Sequence, residues 1–443
     1  MMRTALYRTI WRWHFYAGLF VLPFVLILAM TGAIYLFKPQ IDRWEERAFQ
    51  GLPTVGAVSP NSQLDTALAA FPGARFDAYR LPERSGDAAM IHLALVDEKS
   101  SRDVFVSPQG RLLGCIDPES RLIAWDRKIH GELLSGKWGE RLVELVGSWA
   151  IVMVLSGLYL WWPVKDGTST LAGVVWPRLS RGRQAMWRDL HAVTGFWVSG
   201  LALVLLITAL PWAGVWGDSF KLARRELGWG SERPDWKIGG GDTDMSVGHD
   251  HYAMIAPQER GIPLTSLAGI VASAKAQSLA FPVMIKPPGT PDRTGDTNGV
   301  WTVKSEAQNR PLTVTITYDL MTGKELSRRA FADKHPIDQA IGYGITWHEG
   351  QLFGWINQLV GLLTTVALVA LVISGFILWR RRRPQGQLGA PRTSHVPARM
   401  GGVVAIMLVL AALLPMLALS LFGLWIFDWL ILPRAPRLAA WLG

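Results

Sequence analysis

The segment IHGELLSGKWGERLVELVGSWAIVMVLSGLYLWWP, residues 129–163, places a histidine just before a long apolar stretch that ends in two tryptophans. The segment WHEGQLFGWINQLVGLLTTVALVALVISGFILW, residues 347–379, has the same form at an offset of 218 positions. The matching pairs are His130 and His348, Leu134 and Leu352, Gly136 and Gly354, Ser156-Gly157 and Ser374-Gly375, Leu160 and Leu378, and Trp161 and Trp379. The chain therefore contains an internal repeat.

A second set of matches extends the repeat toward the N-terminus at an offset of 177 positions. These pairs are His14 and His191, Gly18 and Gly195, Leu26 and Leu203, and Thr31 and Thr208. Each half of the chain therefore consists of an apolar helix, a large polar segment and a second apolar helix.

Five apolar stretches are long enough to cross a bilayer of about 30 Å, which needs about 20 helical residues. They run approximately over 15–37, 142–163, 192–215, 355–379 and 402–431. Basic residues precede the first stretch and follow the second and the fourth, as at Arg380–Arg383. The positive-inside rule then predicts a cytoplasmic N-terminus, two large outside segments and an outside C-terminus. Residues 1–37 are too long in their apolar part for a signal peptide and have no small-residue cleavage site.

Composition supports a membrane protein. Half of the 443 residues are hydrophobic, 18% are charged, and there are 22 tryptophans, a residue that concentrates at membrane–water interfaces. This balance excludes a disordered chain and argues against an ordinary soluble enzyme. The net charge of +10 comes from clusters beside apolar runs, which indicates membrane flanks and not a nucleic-acid partner. A single cysteine, Cys115, excludes an intrachain disulfide and a Cys-ligated zinc or iron–sulfur centre.

The two outside segments share a pattern of one short helix followed by strands. The helices are predicted at 60–72, with Ser59 and Asn61 as candidate caps, and at 264–278. Residues 104–114 and 316–326 each read as a strand, a Gly-containing turn and a second strand. The predicted fold is an all-α transmembrane bundle of four repeat-related helices and a fifth C-terminal span, with two α+β extracytoplasmic domains.

The predicted organisation follows from these patterns. It consists of a first transmembrane helix (1–37), outside domain 1 (38–138), a second helix (139–163), a cytoplasmic loop (164–190), a third helix (191–215), outside domain 2 (216–350), a fourth helix (351–380), a basic cytoplasmic loop (381–401), and a fifth helix with a short tail (402–443).

Four of the nine histidines lie at span ends, and the repeat pairs them. The predicted topology places His14 and His191 near the inner face and His130 and His348 near the outer face. A helix bundle that presents two imidazoles at one level can hold a metal or a haem between them. A single histidine at a membrane boundary is usually just an interfacial polar residue, but four at repeat-related positions favour axial haem ligands. An isolated zinc ion fits less well because only two ligands are available at each level.

Other residues have candidate roles near these histidines. Gly18 and Gly195 lie one turn from the inner histidines, and Gly157 and Gly375 lie at the inner ends of the other two helices, where small residues make room for a macrocycle. Haem propionates could pair with Arg12 and Arg188 at the inner level or with Arg127 and Lys128 at the outer level. The string GHDHY containing His249 and His251 suggests a metal but is more typical of a solvated loop, and His92, His335 and His395 are predicted to be structural or solvated. No catalytic residue is assigned.

These residues resemble the PepSY-associated transmembrane helix proteins, a family of bacterial inner-membrane proteins that includes iron-regulated ferric-siderophore reductases. The resemblance covers about residues 8–383. Its carriers are WHFYAGL (13–19), MTGAIYLF (30–37), IHGELLSG (129–136), SGLYLWWP (156–163), DLHAVTGFW (189–197), WHEGQLFG (347–354) and SGFILW (374–379). The resemblance implies two PepSY-like periplasmic domains, membrane-bound haem and axial ligation by His14, His130, His191 and His348. The fifth span departs from the family pattern.

The resulting hypothesis is a multi-pass reductase of the bacterial cytoplasmic membrane with two haems of b type, since no C-x-x-C-H motif for covalent attachment exists. Electrons from a quinol or a cytoplasmic flavoprotein would reach a ferric siderophore or another Fe(III) chelate outside. The chain has no G-x-G-x-x-G motif after a strand and no cytoplasmic segment large enough for its own nicotinamide or flavin domain. Two alternatives stay open: a membrane-anchored PepSY ligand-binding or regulatory protein without redox activity, and a siderophore or iron transporter.

Overall fold

The computed structural model describes residues 2–96, 100–162, 173–180, 182–229, 266–290, 299–391 and 400–442. His249, His251 and His395 lie outside these residues. The chain forms two compact units: a helical unit of Met1–Leu36, Asp126–Trp229 and Phe353–Gly443, and a sheet unit of Phe37–Trp125 and Gly230–Leu352.

The helices and strands of the described residues are as follows. The helices are α1 (Met2–Tyr35), α2 (Lys38–Glu45), α3 (Pro60–Ala70), α4 (Leu122–Glu132), α5 (Gly136–Trp161), α6 (Arg183–Ala209), α7 (Gly214–Glu226), α8 (Leu267–Ala276), α9 (Pro336–His348), α10 (Trp355–Arg382), α11 (Gly401–Leu413), α12 (Pro415–Ile426) and α13 (Pro436–Leu442). The strands are β1 (Arg75–Arg80), β2 (Ala89–Ala94), β3 (Ser101–Val106), β4 (Leu112–Ile116), β5 (Val283–Lys286), β6 (Trp301–Ser305), β7 (Val314–Tyr318) and β8 (Glu325–Ala330).

Five segments of the described chain are helical, long and apolar enough to cross a membrane. They are Ala5–Tyr35, Gly136–Trp161, Arg183–Trp212, Trp355–Arg382 and Pro415–Arg434. The first four overlap the repeat-related spans predicted from the sequence over most of their length, with different bounds. A multi-pass helical membrane protein is therefore supported.

The four repeat-related helices pack around one another. Helices α1 and α6 each contact both α5 and α10. Glycines allow close approach: a Cβ atom on Gly361 would lie 2.9 Å from the Leu36 side chain, and one on Gly18 would lie 3.1 Å from Met153. Because lipid tails are as apolar as leucine, such close van der Waals packing holds membrane helices together.

The helical unit has two distinct ends. At one end, here named the arginine end, the Arg382 guanidinium lies 4.9 Å from the centre of the Trp11 ring. At the far end, Gln358 near the start of α10 donates a hydrogen bond of 2.9 Å to the carbonyl of Leu36, just after α1. Helices α1 and α10 are therefore antiparallel, as the repeat requires.

The predicted fifth span, 402–431, is divided into two helices. Helix α11 ends at Leu413, and Leu414 has an extended backbone with φ −125° and ψ 91°. Pro415 begins α12. Proline has no N–H and clashes with the preceding helical turn, which forces the residue before it into an extended conformation.

The chain reverses direction at this break. The carbonyl of Leu413 accepts a 3.0 Å hydrogen bond from the indole of Trp216, which follows α6 at the far end. The carbonyl of Leu442 accepts a 2.9 Å hydrogen bond from the hydroxyl of Tyr16, near the arginine end. Residues 413–442 therefore return toward the arginine end, and the C-terminus lies at the same end as the N-terminus. The sequence-based prediction of a C-terminus at the opposite end was wrong.

The sheet unit contains one antiparallel sheet of eight strands in the order β4-β3-β2-β1-β5-β6-β7-β8. Helices α3 and α8 contribute to one core with the alternating inward residues of both halves. Ser59 caps α3 by accepting from the amide of Ser62, as predicted, and Ser266 caps α8 by accepting from Gly269. The two halves thus build the same short-helix-and-strand pattern.

The two segments predicted to lie outside are joined edge to edge. Strand β1 of the first half pairs with β5 of the second, through Tyr79 with Ile285 and Arg80 with Met284. Asn61 on α3 accepts from the amide of Ala268 at the start of α8. Pairing removes an exposed edge from each half, so the two predicted domains form one continuous sheet unit.

Candidate functional site

His14 on α1 is held by a serine and a glycine of α5. Its Nδ1 lies 2.9 Å from the hydroxyl of Ser156, and that hydroxyl donates to the carbonyl of Val152 at 2.7 Å. Because a hydroxyl has one proton to give, the His14 Nδ1–H must be the donor in the first bond. A Cβ on Gly157 would lie only 3.2 Å from His14 Cε1, so this glycine gives the ring its space.

His191 on α6 has the same surroundings on α10. Its Nδ1 lies 3.1 Å from the hydroxyl of Ser374 and 3.2 Å from the carbonyl of Leu371. A carbonyl can only accept, so Nδ1 again carries the proton. A Cβ on Gly375 would lie 3.3 Å from the Cε1 atom of His191. His14 and His191 are close enough to interact electrostatically.

His130 on α4 repeats this arrangement at the far end of the helical unit. Its Nδ1 lies 2.8 Å from the hydroxyl of Thr31, which donates to the carbonyl of Ile27 at 2.8 Å. A Cβ on Gly32 would lie 3.3 Å from His130 Cε1. Three histidines thus each rest on a hydroxyl-glycine dipeptide of α1, α5 or α10.

The shared hydrogen bond fixes the chemistry of these rings. With Nδ1 protonated, a neutral imidazole presents the lone pair of Nε2 as a ligand. Metal-binding histidines typically donate their other N–H in this way. Among the residues that the structure describes, no group of three or more His, Cys, Asp or Glu side chains could hold a metal ion. In their neutral form these imidazoles fit axial ligation of haem iron better than a zinc site, which needs more protein ligands.

The hydroxyls and Gly32 are residues whose role the sequence reasoning missed. The repeat matches Ser156 with Ser374 and Thr31 with Thr208, so the signal was present, but it carried no information on which helices would face each other. Gly32 has no glycine counterpart, because the same offset leads to Ala209.

His348 is the last residue of α9 and belongs to the sheet unit. Its pairing with His130 at one level stays a prediction from the repeat. His335 caps the start of the same helix, where its Nδ1 accepts from the amide of Ile337 at 3.3 Å.

The glycines predicted one turn from the inner histidines face the neighbouring helices. A Cβ on Gly18 would meet Met153 at 3.1 Å, and one on Gly195 would meet Leu371 at 3.5 Å. Met153 and Leu371 are themselves related by the offset of 218. These two glycines therefore bring α1 and α6 close to the helices that carry Ser156 and Ser374.

The predicted arginines differ in their surroundings. The Arg12 guanidinium stacks at 5.5 Å from the ring centre of Tyr16. Arg188 donates to buried Asp189 at 2.8 Å, and Arg178 binds the same carboxylate at 2.6 Å. Arg188 therefore has an internal counterion. Arg127 differs, since its Nε is buried and has no hydrogen-bond partner among the described residues.

Two carboxyl groups close in sequence to His130 and His348 are buried. Burial raises the pKa of Asp126, one turn before His130, to about 7, and both of its oxygens lack a hydrogen-bond partner in the described chain. Burial also raises the pKa of Glu349 to about 7, while the charges of Arg310 and Lys38 act in the opposite direction. These carboxyl groups therefore titrate near neutral pH.

An ion-pair network lies in the sheet unit. Asp103 binds His92 at 2.8 Å and Arg121 at 2.9 Å, and Arg121 also reaches Glu46 at 2.9 Å. Although burial acts in the opposite direction, the hydrogen bond from His92 and the charge of Arg121 hold the pKa of Asp103 below its ordinary value. His92 is thus structural, as predicted from the sequence.

Comparison with known proteins identifies the family. The family described as "PepSY-associated TM region" matches residues 11–382, which include all four repeat-related histidines. No curated protein matches the chain. The chain belongs to the PepSY-associated transmembrane family.

Proposed function

We propose that the protein is a haem-dependent transmembrane ferric reductase of the bacterial cytoplasmic membrane. The observation that carries the proposal is the recurrent setting of His14, His191 and His130. Each imidazole donates its Nδ1–H to a neighbouring helix, and its Cε1 rests on a glycine. A purely interfacial histidine needs neither feature.

His14 and His191 would hold one haem of b type toward the arginine end, and His130 and His348 would hold a second toward the outside. Such haems, when bound, supply one-electron chemistry between a donor on the cytoplasmic side and Fe(III) outside. The pairing of His130 with His348 rests on the repeat.

The chain's own residues prepare the ligands. Ser156, Ser374 and Thr31 keep a proton on Nδ1, so that in the neutral ring the lone pair that binds iron lies on Nε2. Gly157 and Gly375, which carry no side chain, leave the inner rings the space to lie against α5 and α10. Rigid, preorganised ligands of this kind reduce the free-energy cost of binding.

The electron donor would be a quinol or a separate reduced flavoprotein, and the acceptor a ferric siderophore or another Fe(III) chelate. Reduction favours release because Fe(II), with its lower charge, binds hard oxygen ligands more weakly than Fe(III) does. The positive-inside rule would place the arginine end, with the N-terminus, in the cytoplasm.

The test is electron transfer across a membrane. The protein, purified with haem available, is reconstituted into vesicles that contain a reductant, and Fe(II) formed from an external ferric chelate is trapped by a coloured ligand. We expect His14→Ala to abolish external Fe(II) formation, whereas His335→Asn, which keeps a capping side chain on α9, leaves it unchanged. Equal rates in both variants and in empty vesicles would contradict the proposal.

The two other functions predict different results. A ligand-binding or regulatory protein would tolerate alanine at all four histidines without loss of function and would bind no haem. A transporter would move the intact chelate into the vesicles without forming Fe(II) outside them.

A further inference from the structure

Three consecutive side chains of the sheet unit carry buried polar atoms without a partner. They are Gln308 Nε2, Asn309 Oδ1 and Arg310 Nε, and none has a hydrogen-bond partner among the described residues. An unsatisfied buried polar group costs about 1–3 kcal/mol, and folded proteins contain only a few. Three in one short segment make the segment a candidate site for a bound molecule.

The segment is fixed in place beside a candidate haem ligand. The amide of Arg310 donates to the hydroxyl of Thr346 at 3.2 Å, and this fully buried hydroxyl donates to the carbonyl of Gly342 at 2.8 Å. Thr346 precedes His348 by two residues on α9. Because backbone contacts hold the segment on α9, its side chains are displayed in a defined position and not on a free loop.

The chemistry of the three side chains points to an anion. Arginine has five N–H donors and no acceptor, and the glutamine amide adds two donors. Asn309 Oδ1 is itself an acceptor, so this side chain faces a carboxylate favourably only when its amide is rotated by 180° and the NH2 group takes the place of the oxygen. Glu349 interacts electrostatically with Arg310, but it does not bond its Nε. Planar guanidinium donors match the geometry of carboxylates and phosphates, and of these two groups the proposed function offers carboxylates, on haem and on iron chelates.

We infer that Gln308, Asn309 and Arg310 form a binding site for a carboxylate group. This inference rests on the proposed function for the identity of the carboxylate. One source is a haem propionate, and the other is a carboxylate of an iron chelate. Arg127 stands in a similar position to His130, which it precedes by three residues. Its Nε is buried and also lacks a hydrogen-bond partner in the described chain.

Two variants and one control test the site. Arg310→Gln removes the charge, and Gln308→Leu replaces the amide with an apolar group of similar size. Arg329→Gln on exposed β8 is the matched control. If the amide were merely an unsatisfied core group, Gln308→Leu would raise the melting temperature of the haem-free protein and leave binding unchanged.

Titration with ligands that have or lack free carboxylates distinguishes a haem propionate from a chelate carboxylate. We expect Arg310→Gln to weaken binding of one carboxylate ligand by about tenfold or more, since hydrogen bonds to charged groups contribute about 1.5–3 kcal/mol. A propionate site would lose affinity for haem but not for haem dimethyl ester. A chelate site would lose affinity for ferric citrate but not for ferrioxamine, whose iron is held by hydroxamates.

Unchanged affinity of both variants for haem and for ferric citrate would overturn the inference. Equal losses for a ligand and for its carboxylate-free counterpart would also overturn it. A wild-type protein that binds no haem would refute the proposed function. The ferric citrate titration needs no haem, so it would still test the carboxylate site in that case.

Discussion

Replacement of Gly157 by alanine tests whether the packing of the His14 ring matters for haem binding. The new methyl carbon would lie 3.2 Å from His14 Cε1 and 3.9 Å from Nδ1. Carbon atoms in good contact lie about 3.5–4.0 Å apart, so the ring must move by about 0.3–0.8 Å. Any such movement also strains the 2.9 Å bond to Ser156.

The magnitude follows from these two contacts. Overpacking a well-filled site costs about 1–3 kcal/mol, and a weakened hydrogen bond adds about 0.5–1.5 kcal/mol. We therefore expect the affinity of the inner site for haem to fall by about 10- to 1,000-fold. Alanine favours a helix by about 1 kcal/mol over glycine, so helix propensity acts in the opposite direction on the stability of the haem-free protein.

The assay is a haem titration of the haem-free protein, followed by the Soret absorption band, together with its melting temperature. Gly200→Ala on α6 is the control, because a Cβ there meets nothing within 4 Å. The control should bind haem as the wild type does. Equal haem affinity of Gly157→Ala and Gly200→Ala would refute the reasoning that the glycine positions the ligand.

Three further changes have defined outcomes. Ser156→Ala removes the acceptor of the His14 Nδ1–H, so the imidazole becomes a weaker electron-pair donor to Fe(III). The midpoint potential of the inner haem should therefore rise by up to about 60 mV. Ser156→Thr keeps a hydroxyl and should restore the wild-type potential. Asp126→Asn should stabilise the protein more at pH 8 than at pH 5 in thermal unfolding. The folded-state pKa of about 7 lies above the ordinary 3.8, so stability is lost as pH rises between these values, by up to about 1.4 kcal/mol per pH unit. Glu144→Ala should speed hydrogen exchange of the Val215 and Trp216 amides at the start of α7, because the Glu144 carboxylate accepts from both, at 2.8 and 3.1 Å.

Each of these has an opposing result. An unchanged potential in Ser156→Ala, or a threonine variant that fails to restore it, would contradict a role for the hydroxyl. Equal stabilisation by Asp126→Asn at both pH values would mean that the carboxyl is not protonated at neutral pH. Wild-type exchange rates in Glu144→Ala would show that α7 does not depend on this cap.

The sequence was sufficient to predict the four repeat-related helices and to single out the four histidines, while the pairing of His130 with His348 stays a prediction. Apolar length predicts the four repeat-related helices, and the offsets of 177 and 218 pair His14 with His191 and His130 with His348. These signals are local or periodic patterns, so they can be interpreted without knowledge of the tertiary packing.

The C-terminal region and the sheet depended on tertiary contacts. Pro415 was visible in the sequence, but proline can either kink or end a helix. The return of the chain toward the arginine end follows from tertiary contacts such as the hydrogen bonds of Leu413 and Leu442. Likewise, each half predicts its own strands, but the pairing of β1 with β5 requires two edges to meet. The hydroxyl partners of the histidines depend in the same way on which helices are neighbours.

The most direct test of the central claim is the haem content of the purified protein. The account predicts sharp reduced bands of six-coordinate b-type haem after dithionite, with close to two haems per chain by pyridine extraction. His14→Ala and His130→Ala should each remove one haem. A colourless, folded protein from cells supplied with haem would contradict the account and favour a binding or regulatory role.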